Sequence, residues 1–217
     1  MNNLTFKNGT YIEWGVGDDG GGSTQYTDFL TAIPSGNTYC NCLEWCAGLS
    51  AISFSLLDAQ IIENCVLMDI YELALLTAVE NAKKNGIENK VKYYVCDEIK
   101  KLPITEKFDL VVSNPPHCFD DLWMDENGDL SEIVGGHRRL VLDKKGKLHN
   151  EFFSNITRYL NKNADIFLSE TQPHDFLIDM ARENGLTYIN SVSAPALAKT
   201  SNPQSVIMRF KYETEIH

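Results

Sequence analysis

Two rhythms of apolar residues alternate along the 217-residue chain. Compact apolar runs bounded by turn residues mark buried strands. Apolar positions three and four apart mark helices lying on them. From residue 38 onward the runs predict strands at 39–43, 65–68, 91–95, 108–113, 164–168, 187–192 and 205–210. Helices are predicted at 49–57, 71–84, 151–160 and 174–183, two of them closed by Asn85-Gly86 and Asn184-Gly185. Strands alternating with helices imply an α/β fold, a Rossmann-like doubly wound sheet of about seven strands. No helix is predicted between the last two strands, so the final one is expected to run antiparallel. Before this unit, Asn8-Gly9 between alternating stretches predicts an N-terminal hairpin. A glycine-rich loop at 18–23 then leads to a candidate cap, Ser23 or Thr24, and a helix over about 25–33. The pattern divides the chain into an extension at 1–37 and a domain at 38–217, with an insertion at about 117–148.

That insertion breaks the usual short strand-to-helix connection. Its charges are segregated. Asp120, Asp121, Asp125, Glu126, Asp129 and Glu132 form an acidic arm. Arg138, Arg139, Lys144, Lys145 and Lys147 form a basic arm interrupted by Asp143. The arms read either as a solvated hairpin or as a lid with a substrate-facing basic patch.

Charge sharpens the picture. Thirty acidic residues against 19 basic ones give a formal net charge of −11, which disfavours non-specific binding to nucleic acid. No apolar run approaches a membrane span, and the first residues do not resemble a secretory leader. Six cysteines without a CxxC spacing read as reduced thiols, mostly buried, in a cytoplasmic protein, and no metal site is expected.

Candidate chemistry gathers where strands end. Glu44 to Ser50 lies between a strand and a helix, the nucleotide-binding place of such folds. Only Gly48 matches a glycine of the dinucleotide fingerprint; Cys46 and Ser50 stand at the other two places. A carboxylate from Glu44 in this crevice would repel a pyrophosphate and suit a cationic cofactor, favouring S-adenosylmethionine (SAM) over NAD. Asp69 falls 21 residues after Gly48 and is suited to ribose hydroxyls. Ile70 could cover an adenine face, and Asp97, with Glu98 beside it, could meet the adenine amino group. The strand Phe-Asp-Leu-Val-Val-Ser runs directly into Asn114, Pro115, Pro116 and His117. Two prolines fix that corner, and the residue before them is held extended. It offers the Asn114 amide oxygen and the Pro115 carbonyl to a planar NH2 group, with a flat ring at His117 to stack on it.

On these residues the chain resembles class I SAM-dependent methyltransferases with an Asn-Pro-Pro-Tyr/Phe/His motif. That group includes release-factor glutamine methyltransferases and adenine-N6 and guanine-N2 nucleic-acid methyltransferases. The resemblance covers roughly residues 38–210. It implies that Glu44, Cys46, Ala47 and Gly48 hold the methionine part of SAM, Asp69 the ribose, Asp97 the adenine, and Asn114 to His117 the target nitrogen. Gln25 and Tyr26, after the glycine-rich loop, would help to close over the cofactor, and S-adenosylhomocysteine would be the product. The expected activity is methyl transfer to an NH2 nitrogen of a protein side chain or small metabolite. The alternatives are methylation of an RNA or DNA base, which the basic arm would serve, and a SAM-binding scaffold without catalysis. Trp45 is expected in the core, Trp123 as an exposed aromatic contact, and His137 and His149 as surface or capping residues.

Overall fold

A computed structural model describes residues 2–15, 24–117, 119, 142–199 and 203–213. The acidic arm, Trp123, Arg138, Arg139, His137, Cys118, the glycine-rich loop and Ser23 lie outside the described residues.

A two-stranded antiparallel hairpin, β1 (Asn2–Thr5) and β2 (Tyr11–Trp14), leads the chain. Helix α1 (Tyr26–Ala32) follows. Its N-cap is Gln25, which makes no side-chain cap bond, in place of the expected Ser23 or Thr24. Next come β3 (Tyr39–Trp45), α2 (Ala51–Asp58), β4 (Ile62–Asp69), α3 (Glu72–Lys84), β5 (Val91–Val95) and β6 (Phe108–Ser113). Beyond the insertion lie α4 (Lys147–Ile156), β7 (Leu160–Glu170), α5 (Asp175–Glu183), β8 (Thr187–Ser193), a short α6 (Pro195–Ala198) and β9 (Val206–Lys211). The large sheet runs β5-β4-β3-β6-β7-β9-β8. β9 alone is reversed: it pairs antiparallel with both β7 and β8.

The alternation of side chains across the strands builds two cores. Cys42, Cys65, Leu110, Val112 and Phe167 face one side, with Phe29, Phe54, Leu75 and the hairpin residues Phe6, Ile12 and Trp14. Their strand neighbours Leu43, Val66, Val111, Ile166 and Leu168 face the other, with Phe152, Phe153, Ile156 and Leu177. A sheet covered on both faces explains why its strands read as continuous apolar runs. All five cysteines among the described residues are free, and Cys40 is exposed rather than buried.

Several elements differ from the pattern in the sequence; β3 runs on to Trp45 and β4 begins at Ile62. A four-residue helix, α6, interrupts the last connection. Helix α4 starts and ends four residues early: the Asp143 carboxylate accepts the Leu148 and His149 N–H groups at 2.7 and 3.1 Å, and Leu160 already pairs with Phe108. Strand β7 runs to Glu170 because β9 pairs with it through Val206. No helix among the described residues is long and apolar enough to cross a membrane.

The hairpin is fastened to the last residue of α2. Asp58 accepts the Asn8 and Thr10 N–H groups at 2.8 and 3.0 Å. Asp58→Ala leaves two backbone donors unpaired and is expected to lower stability by about 2–3 kcal/mol, read from urea denaturation. An unchanged midpoint would show that the hairpin is held otherwise.

Candidate active site

Chemistry collects at the carboxyl ends of β3, β4, β6 and β7, which are neighbours in the sheet. The turn after β3 is wound tightly. Cys46, Gly48 and Ser50 all take left-handed backbone angles, with φ of 55°, 47° and 61°. Cys46 and Ser50 therefore adopt the conformation that glycine adopts without strain, although they carry side chains. Hydrogen bonds over-determine the turn. The Ala47 N–H donates to the Met68 carbonyl at 3.0 Å, and the Gly48 N–H to Asp69 Oδ2 at 2.8 Å. Asp69 Oδ1 accepts the Tyr71 N–H at 2.8 Å, just before α3. One carboxylate thus joins the turn after β3 to the helix after β4.

Glu44 is only 2% exposed. Its Oε2 accepts the Ser53 N–H at 2.8 Å, so the carboxylate is turned toward the N-terminal end of α2 rather than simply out into the crevice. Burial raises its pKa to about 8, against the lowering effect of hydrogen bonds from Ser53 and Ile52. Ile70 is 68% exposed beside Asp69. Asp97 is exposed and paired with Lys101 at 2.5 Å, a contact that lowers its pKa; Glu98 pairs with Lys100 at 3.2 Å. Gln25 is buried, and the Tyr26 ring stands edge-on to Phe6 at 5.0 Å, engaged with the hairpin.

The corner after β6 is set by pairing of β6 with β3 on one side and β7 on the other. The Ser113 hydroxyl donates to the Trp45 carbonyl, tying the corner to the cofactor-side turn. Pro115 is buried. Asn114 Oδ1 is buried and accepts no hydrogen bond among the described residues, and His117 Nδ1 is likewise without one. Burial lowers the His117 pKa; the Glu170 charge opposes this, and His149 and His174 reinforce it.

His149, expected as a surface or capping residue, is instead in the interior. His149 is 0% exposed. Its Nδ1 lies 2.6 Å from Asp143 Oδ2 and its Nε2 lies 2.9 Å from Glu170 Oε1. Burial pulls its pKa down, but Glu170 and Asp143 outweigh this and lift it to about 9. The signal was present in the helix period, since residues 149, 152, 153 and 156 form one buried face of α4. Trp45 is in the core as expected, stacked on Phe152 at 4.2 Å. Of the basic arm, Lys144, Lys145 and Lys147 are exposed, while the acid among them, Asp143, is buried. No group of three His, Cys, Asp or Glu among the described residues could hold a metal ion.

The molecule is thus a seven-stranded Rossmann-like sheet with its candidate site on the carboxyl rim. The chain belongs to the methyltransferase small domain family, whose model matches residues 26–166. It is 36% identical over 78 residues to the release factor glutamine methyltransferase of Leptospira interrogans, a match covering 36% of this chain and 27% of that protein. Its fold is similar to that of a methyltransferase from Pyrococcus furiosus (TM-score 0.64, 13% identity, 94% of this chain and 89% of that one). It is also similar to that of the ribosomal protein L11 methylase from Lactobacillus delbrueckii subsp. bulgaricus (TM-score 0.57, 14% identity, 89% and 79%).

Two predictions follow from the geometry of the rim. Ser50 combines a left-handed backbone with a buried hydroxyl that has no hydrogen-bond partner among the described residues. Ser50→Gly is expected to raise stability by about 1–2 kcal/mol in thermal unfolding; a loss of that size would mean the hydroxyl is needed. Glu44 and His149 both hold protons more tightly when folded than when unfolded. Their joint contribution is fully present below the unfolded carboxylate and imidazole values. It is lost as pH rises through about 8 for Glu44 and about 9 for His149. Urea titrations are expected to show unfolding free energy falling by about 2 kcal/mol or more between pH 6.5 and 9.5; a rise over that range would contradict the two assignments.

Proposed function

We propose that the protein is an N-methyltransferase acting on a planar NH2 group, with a protein side-chain amide as the favoured acceptor class. The observation that carries this reading is the open valence of Asn114. Its Oδ1 is a buried acceptor without a donor among the described residues, at a corner that two prolines make rigid. A buried acceptor left unpaired is costly, and an incoming N–H group removes that cost. The Pro115 carbonyl beside it offers a second acceptor. Two such bonds to one NH2 would aim its lone pair and stabilise the positive charge that develops as the nitrogen gains a fourth bond. An amide nitrogen then returns to neutrality by losing a proton to water.

When bound, SAM supplies an electrophilic methyl group on its sulfonium, so the protein's own task is to hold and orient. The turn from Cys46 to Gly48 would receive its methionine part. Asp69 uses one lone pair on each oxygen for Gly48 and Tyr71, and a carboxylate keeps further acceptor sites for the two ribose hydroxyls. Ile70 exposes an apolar side chain suited to an adenine face, and Asp97 stands beyond it after β5. Ionised Glu44 would be favoured by a cation held nearby.

The partial match to a release factor glutamine methyltransferase supports an amide acceptor, as does the net charge of −11. One observation keeps base methylation as a second reading. Lys144, Lys145 and Lys147 are exposed at the foot of the insertion and would serve as phosphate-binding residues.

Asn114→Ala is expected to leave the SAM dissociation constant within about threefold by calorimetry. It should reduce labelled methyl transfer into a cell extract by about 100-fold or more. Equal transfer by both proteins would remove Asn114 from the reaction. Digesting the labelled extract with protease or with nuclease separates the two acceptor classes.

A further inference from the structure

Asp143, His149 and Glu170 lie outside the groups assigned above to cofactor or acceptor, and all three side chains are buried. Both ring nitrogens of His149 face carboxylate oxygens, at 2.6 and 2.9 Å. A neutral imidazole has one N–H and one lone pair, so it would satisfy one carboxylate and repel the other. The imidazolium donates to both. Three buried charges are a poor device for stability alone, since apolar residues of similar volume often do as well. Perturbed groups of this kind gather at functional sites.

The placement of His149 supplies a role. Its ring is edge-on to Trp45 at 5.5 Å, at the start of the cofactor-side turn. It is also edge-on to Phe119 at 5.3 Å, two residues beyond His117. Asp143 caps the first turn of α4, where the insertion ends. Glu170 ends the strand beside the acceptor corner, and its second oxygen, Oε2, is buried without a hydrogen-bond partner among the described residues. One ring therefore packs beside the end of β3, beside Phe119 just past the corner, and against Asp143 at the foot of the insertion.

We propose that His149 is a positioning residue for methyl transfer: clamped as an imidazolium between Asp143 and Glu170, it braces the cofactor-side turn against the acceptor corner and holds His117 as a neutral ring toward the acceptor. This rests on the N-methyltransferase reading. His117 is faced by Glu170 from β7, by His149 from α4 and by His174 from the segment before α5. His149 is faced by Asp143 and Glu170. Cys46, at the end of β3, adds a thiol that burial keeps neutral. Removing the imidazolium takes a cation from beside His117 and leaves the Glu170 charge unopposed, so His117 gains a proton more readily. A protonated His117 would set a second cation near the sulfonium and near the nitrogen that must itself become positive.

The test is a titration of histidine side chains by NMR on the full chain, with His117→Phe identifying the His117 resonance, set beside the pH profile of labelled methyl transfer into a cell extract. In the wild type, one of the five histidines is expected to stay doubly protonated above pH 8, while His117 stays neutral at pH 6. In His149→Gln, the His117 midpoint should rise by at least about one pH unit. SAM affinity should stay within about threefold. Transfer should fall about 30-fold at pH 7 and largely recover by pH 8.5. A wild type with no doubly protonated histidine above pH 8 overturns the proposal, and so does a loss of transfer that is equal at every pH. Should His149→Gln fail to fold, the wild-type titration and Glu170→Gln decide the matter, the latter lowering the midpoints of both histidines. Absence of label in every fraction with the wild type would instead defeat the N-methyltransferase reading, and the titrations would still report on the clamp.

Discussion

A parallel sheet covered on both faces has nowhere to place polar chemistry except at the ends of its strands. That constraint organises this molecule. β3, β4, β6 and β7 are packed on each side by large apolar side chains. Their polar endings, Glu44, Asp69, Asn114 and Glu170, come together because the strands are neighbours and point the same way. The insertion after β6 enters at this same rim, so its foot falls among them.

The rim is held by groups that each do two jobs. Asp69 ties a strained turn to the start of α3 and retains lone pairs for a ligand. Glu44 holds the first turn of α2 through the Ser53 N–H, and its burial raises its pKa. Asp143 caps α4 and holds the His149 ring. Such sharing makes the site rigid without a dedicated scaffold, and its cost appears as left-handed angles at Cys46 and Ser50 and as buried ionisable groups.

Much of this could be read from residues alone. The strand residues 108–113 and the Asn-Pro-Pro-His corner were plain because apolar runs and paired prolines act locally. The reversed β9 followed from the absence of a predicted crossover helix before it, and the four-residue α6 found there is too short to be one. The parts that escaped depend on distant partners. His149 resembles a surface histidine until Glu170, 21 residues away, supplies its second acceptor. The inward turn of Glu44 depends on the Ser53 N–H in the first turn of α2, nine residues on. The edge-on contact between Tyr26 and Phe6 of the hairpin joins elements twenty residues apart. No local pattern encodes such pairings, because each is decided by which elements the fold brings together.

The central claim is that the acceptor atom is a nitrogen presented as a planar NH2 to Asn114. The most direct measurement is the chemical form of the transferred methyl group. Wild-type protein is incubated with methyl-labelled SAM and a cell extract, and the labelled product is hydrolysed completely in acid and resolved by mass spectrometry. A side-chain amide acceptor predicts recovery of the label as methylamine. Recovery as methanol, which a methyl ester would release, or as carbon-bound methyl, would contradict the account.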